Sequence, residues 1–194
     1  MDADRLKSLT VACATSAEER VAKRLGLKAV RVGVSVANGV PEGSLVSFGL
    51  AGSLGELGVG QVLDAPRVVD ETGATLWEGP GLGLDGTRPG VVLGGDVLVH
   101  DAAERARLRE TRGADAVDME SAALARSGRL AGVLRAISDD AGSVVEGVDR
   151  TVHPDGRTNV AGLLRWVATR RGGAIRSMRD ALRALHALEE AVAA

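Results

Sequence analysis

The apolar positions of the chain follow two rhythms. Residues 9–15, LTVACAT, run together as a short buried strand, and the SAEERVAKRLGL that follows repeats its apolar positions at helical spacing from Glu18 to Leu25, with Ser16 as the expected cap. KAVRVGVSV, SLVSFGLAG and VGQVLDAPRVVD are rich in β-branched residues and predict further strands, the second ending in a glycine-bearing turn. Residues 73–95, TGATLWEGPGLGLDGTRPGVVLG, hold enough Gly and Pro to predict a hairpin or mobile loop. Helices are expected over DAAERARLRE and from Glu120 into an alanine-rich run that stops at Gly128. AGVLRAISDDAG reads as an apolar strand whose carboxyl end carries Ser138, Asp139 and Asp140, the end at which open α/β sheets bind ligands. From Ala174 a helix gathers Ile175, Met178, Leu182, Leu185 and Leu188 on one side and Arg176, Arg179 and Arg183 on another. Its apolar side reads as a stripe docked on the sheet or on a second subunit, with peripheral membrane contact as the alternative. Alternating strands and helices predict a single α/β domain over residues 1–194, built in three layers and free of repeats or linkers.

Composition narrows the partners. At 194 residues and 45% hydrophobic content the chain is long enough for one sizeable core. Its 24 basic and 26 acidic residues nearly cancel, so no strong field draws it to nucleic acid or anionic lipid. Tyrosine is absent and Phe48 is the only phenylalanine, which removes the stacking platforms of single-strand binders. A small molecule is the expected partner. Cys13 is the only cysteine, excluding an internal disulfide and a thiolate zinc site and pointing to a reducing cytoplasm. The first twenty residues have neither the profile of a signal peptide nor the length of a membrane span.

Several motifs are decided by their context. GLGLDG, 81–86, matches the letters of a dinucleotide fingerprint but is followed by Thr87, Arg88, Pro89 and Gly90 rather than a helix, so a Rossmann site is rejected. No nucleophile elbow or phosphate loop is present. His100, His153 and His186 lack metal-ligand spacing and read as surface or hydrogen-bonding residues. Three acids, Glu18, Glu120 and Asp139, stand where a strand gives way to a turn or helix. Each alone reads as a helix-terminal charge. Together they suit glycosyl transfer, which needs a carboxylate for sugar hydroxyls, an acid for the leaving group and a means of aligning the nucleophile.

AVDMESAALA, VLRAISDDAG and the upstream VSFGLAGSLGELGVGQVL resemble the nucleoside phosphorylase and nucleosidase superfamily that includes methylthioadenosine/S-adenosylhomocysteine nucleosidases. The ending HPDGRTNVAGLLRWVATRRGGAIRSMRDALRAL is similar to hopanoid-associated phosphorylases, whose proposed role is removal of adenine from adenosylhopane. The resemblance implies a nucleoside phosphorylase-like α/β/α sandwich around a central twisted mixed sheet, a homodimer, and no redox cofactor or catalytic metal. It implies that Met119 lies against the ribose and that Glu120 accepts hydrogen bonds from the 2′ and 3′ hydroxyls, staying ionised at its helix start. Asp118 is then structural. Asp139, with Asp140 as its rival, matches the acid that helps protonate N7 of the purine. Leu98 and the backbone of Val99 border the base, with Trp77 a candidate for the stacking that an aromatic residue at the Leu98 position gives in related nucleosidases. Glu18, with Glu19 as its rival, matches the glutamate that positions water, and Gly49, Ala51 and Gly52 match a G-x-A-G turn at the ribose and nucleophile pocket. One departure stands out: 33–43, GVSVANGVPEG, replaces the glycine turn and full helix that relatives carry, which bears on the pocket wall and the subunit interface.

Arg20, Arg31 and Arg67 could hold inorganic phosphate as a co-substrate, but none lies in a phosphate motif, and the early carboxylate suits water better than a dianion. The reading is therefore a cytoplasmic enzyme that cleaves a purine nucleoside with an apolar 5′ group, by hydrolysis. Its rivals are cleavage of methylthioadenosine, S-adenosylhomocysteine or another purine nucleoside, and a non-catalytic nucleoside-binding relative.

Overall fold

The computed structural model describes residues 3–95, 99, 101–140, 143 and 148–194, with backbone alone at 3–5, 148–149 and 170–171. The strands are β1 (Thr10–Cys13), β2 (Lys28–Arg31), β3 (Leu45–Ser53), β4 (Val62–Val69), β5 (Thr75–Glu78), β6 (Arg88–Gly94), β7 (Ala116–Asp118) and β8 (Leu130–Asp139). The helices are α1 (Ala3–Ser8), α2 (Ser16–Arg24), α3 (Ala102–Arg112), α4 (Ser121–Arg126) and α5 (Val160–Ala193).

The sheet is mixed, in the order β2-β1-β3-β7-β6-β4-β5. β8 pairs in parallel with β3 and antiparallel with β4, so the path β3-β7-β6-β4-β8 returns to β3 as a ring. Side chains alternate across it with period two. On one face Val11, Cys13, Val46, Phe48, Leu134 and Ala136 pack against α1, α2 and α5. On the other Ala12, Leu45, Ala51, Val133 and Ile137 pack beneath α4. Ser47 and Arg135 share the parity of this second set, which aims an arginine from the middle of an apolar strand into the interior beneath α4.

Four expectations require correction. The segment 73–95 holds two strands: β5 pairs with β4 as a hairpin, while β6 lies between β4 and β7 inside the sheet. The two glycines of β6 serve close packing, since a Cβ on Gly90 would stand 2.6 Å from Leu63 and one on Gly94 2.4 Å from that of Ala122 on α4. KAVRVGVSV is a strand only to Arg31, after which Val34–Val36 form a single 3₁₀ turn. The terminal helix begins at Val160, with Asn159 as its cap accepting from the Gly162 N–H at 3.0 Å. Finally, its apolar stripe is only partly buried in this chain: Leu188 is in the core and Leu185 packs against it, whereas Ile175, Met178 and Leu182 are exposed, and Trp166, Ala174 and Ala184 complete the inward face. Small residues face the sheet because they allow a long helix to lie close to it. Among the described residues no helix is long and apolar enough to cross a membrane.

Candidate functional site

One cavity of about 640 Å³ opens where the carboxyl ends of β1, β3 and β8 meet the segment from β7 into α4. Glu18, Ala51, Gly52, Val99, Met119, Glu120 and Asp139 all line it. Gly49 stands just behind, and Leu98 lies outside the described residues.

Local rules explain how each acid reaches the cavity. α2 is capped by Thr15 rather than Ser16, through a capping box in which Thr15 accepts from the Glu18 N–H and the Glu18 carboxylate accepts from the Thr15 N–H at 2.7 Å. The other carboxylate oxygen of Glu18 accepts from the Leu50 N–H of β3 at 2.9 Å, fixing a side chain only 3% exposed. A Cβ on Gly49 would lie 2.2 Å from that same oxygen, so this glycine makes room for a carboxylate. Gly52 does the same for Asp139, whose Oδ2 would be 2.8 Å from the missing Cβ. The G-x-A-G stretch, which lies within β3 rather than in a turn, thus cradles two acids. Glu19 instead pairs with Lys23 and Arg31, and Asp140 turns to Ser143.

Asp118 is structural, as expected. Its carboxylate accepts from the Glu120 and Ser121 N–H groups and the Ser121 hydroxyl, capping α4, and pairs with Arg135 Nε at 2.6 Å. Arg135 also donates to Ser47 at 2.6 Å and approaches Glu120 at 3.5 Å. Against the pull of its burial, Asp118 and Glu120 hold this guanidinium above its ordinary pKa.

Glu120 departs from its expected ionised state. Burial, opposed by Arg135 and reinforced by the carboxylates of Asp118 and Glu18, pushes its pKa up to about 8. The helix that follows is only six residues long and Glu120 donates no cap to it, so the helix field is too weak to reverse the cost of desolvation. One of its oxygens accepts from the Ser35 N–H at 3.2 Å. Ser35 and Val36 hold positive φ values of 49° and 59°, unusual for residues with side chains. The short 33–43 segment therefore contributes Val34 and Ser35 to the wall of the cavity.

At the Asp139 end stands Arg105 of α3, 2% exposed, whose Nη2 lies 2.5 Å from Asp139 Oδ2. The Ser138 hydroxyl donates to Oδ1 at 2.8 Å. Sequence reasoning missed Arg105, Arg135 and Ser35. An arginine inside an apolar strand was a readable sign for Arg135, because a buried charge must be paired. Arg105 is one of four arginines in α3, and only its position three residues before Leu108, toward the packed face, set it apart. Trp77 packs against the core under α4, away from the cavity. Arg20, Arg31 and Arg67 do not line the cavity either.

Residues 81–167 match the family model described as the Phosphorylase superfamily. No curated protein matches the chain. Among solved structures, the Helicobacter pylori 5′-methylthioadenosine/S-adenosylhomocysteine nucleosidase is similar at a TM-score of 0.60 and 16% identity, over 94% of each chain. Arabidopsis thaliana 5′-methylthioadenosine nucleosidase gives 0.59 and 14%, over 95% of this chain and 92% of that one. Futalosine hydrolase of Helicobacter pylori gives 0.54 and 16%, over 92% and 96%. At these identities the likeness establishes the nucleoside phosphorylase-like fold.

Proposed function

From the match of residues 81–167 to the Phosphorylase superfamily model and the nucleoside phosphorylase-like fold around them, we propose that the protein cleaves the N-glycosidic bond of a purine nucleoside. The observation that carries this reading is the convergence of Glu18, Met119, Glu120 and Asp139, from three separate parts of the chain, on one cavity. Met119 and Glu120 hold the ribose, Asp139 acts on the purine at N7, and Glu18 positions the nucleophile. The Helicobacter nucleosidase, in a mutant form, holds 5′-methylthioadenosine in its active site, a nucleoside of the proposed class.

Water is the proposed nucleophile. A phosphate dianion entering this cavity would meet the carboxylates of Glu18, Asp118 and Asp139, whereas Arg105 is the only arginine among the described residues of the lining and already has a carboxylate partner. The substrate is an adenosine with an apolar 5′ group, of which adenosylhopane is one candidate. Val34, Val152, Pro154 and Ala181 in the wall support it. No redox cofactor or metal enters the reaction, and the homodimer and cytoplasmic setting remain part of the same proposal.

The test is adenine release from 5′-deoxy-5′-alkylthioadenosines of increasing chain length, with and without inorganic phosphate. Release without phosphate, faster for longer chains, is expected. Strict phosphate dependence would replace water by phosphate, preference for the methylthio compound would remove the long apolar group, and adenine binding without any release would indicate a non-catalytic relative.

A further inference from the structure

Arg105 is fastened at every nitrogen. Nε donates to the Val99 carbonyl at 3.1 Å, Nη1 to the Ser53 carbonyl at 2.8 Å, and Nη2 to Asp139 Oδ2 at 2.5 Å. These partners come from the approach to α3, the end of β3 and the end of β8. A planar guanidinium tied at two fixed carbonyls has no rotational freedom left, so its third contact is a rigid reference point. Gly52 leaves the space in which the pair meets, since a Cβ there would stand 2.8 Å from Asp139 Oδ2 and 3.3 Å from Arg105 Nη1. The Asp139 side chain retains 17% exposure, which gives it an open side on the cavity.

We propose that Arg105 is a positioning residue of the base end, acting through Asp139: it fixes the carboxyl group at the place where the departing purine meets it. This rests on the purine-cleaving reading above. Arginine is suited to the task where lysine is only partly so, because one plane must satisfy two carbonyls and a carboxylate together. Misplacement of a catalytic group by about 1 Å can cost on the order of 10²-fold in rate.

The experiment is a double-mutant cycle on adenine release by the full chain, using Arg105→Gln, Asp139→Asn and the two combined, with Arg105→Lys alongside. Arg105→Gln is expected to lower kcat about 10²-fold with KM changed less than about threefold, and Arg105→Lys to recover about tenfold of the loss. In the Asp139→Asn background the same change should cost almost nothing, because the group that Arg105 holds has lost its role. Additive losses, or a rise in KM equal to the fall in kcat/KM, would overturn the assignment. If the wild-type protein releases no adenine, the purine-cleaving reading fails and the assignment of Arg105 is overturned with it; release by the wild type with additive losses in the cycle overturns the assignment alone.

Discussion

The two ends of the cavity solve opposite electrostatic problems. At the Glu120 end, three buried carboxylates, Glu18, Asp118 and Glu120, surround one guanidinium, that of Arg135. At the Asp139 end one carboxylate faces one guanidinium. The first arrangement has an excess of acid, and burial, reinforced by that excess, raises the pKa of Glu120 to about 8. The second is balanced and geometrically tight. An excess of acid suits the side of a reaction where positive charge grows on a sugar, and a balanced, fastened pair suits a group that must be aimed. The contrast teaches that the same residue type, an aspartate or glutamate beside an arginine, serves opposite purposes according to stoichiometry.

Removing Arg135 should break the acid-rich end most severely. Arg135→Met leaves Asp118 and Glu120 without their cation and Ser47 without its donor, and the expected loss is about 3–5 kcal/mol of stability together with activity. Chemical denaturation measures it. A loss below about 1 kcal/mol would mean that the cluster is not mutually dependent.

Asp139→Asn sharpens the other end. It should slow base release by roughly 10²–10⁴-fold while nucleoside binding weakens only a few-fold, whereas Asp140→Asn, turned toward Ser143, should leave the rate within about twofold. Equal effects on rate and binding in Asp139→Asn would remove its role as the acid.

A third effect is one of pH. An acid whose pKa is higher in the folded than in the unfolded state binds a proton on folding between the two values, so its contribution to stability falls as pH rises between them. For Glu120 that window runs from about 4.5 to about 8. Glu120→Gln abolishes this titration, so the variant should gain on the wild type as pH rises through the window and keep a constant difference above it. Melting temperatures at pH 5, 6.5 and 8 measure this. Parallel profiles would show that Glu120 is ionised throughout.

How much of this was legible in the chain depends on how local each determinant is. The acids at strand ends could be read because strand, turn and helix signals frame them; within D-M-E, Asp118 caps α4 and pairs with Arg135 but lines the cavity as Glu120 does. The ionisation of Glu120 could not be read, because it depends on Arg135, Glu18 and Ser35, all distant in sequence. β6 was obscured by Arg88, Pro89 and Gly90, which carry turn signals although they lie in a strand. Gly172 and Gly173 similarly hid the first half of α5. A glycine in a helix costs roughly 1 kcal/mol, but buried Trp166 and Ala174 anchor the helix on either side of the pair. Which part of the α5 stripe meets the core could not be read, because helical spacing tells which residues share a side and not which side meets the core.

β8 is the last strand in the chain, yet it lies between β3 and β4. During synthesis the ribosome delivers Glu18, Gly49, Gly52 and Arg105 well before Arg135 and Asp139, so the early part of the protein waits with its acids unbalanced and its guanidinium without a carboxylate. Contacts so distant along the chain form slowly. Insertion of β8 completes the sheet and brings Arg135 and Asp139 to their partners, while Val152, Pro154 and Ala181, which come later still, complete the wall, so the site comes into being only when the last third of the chain has joined the first.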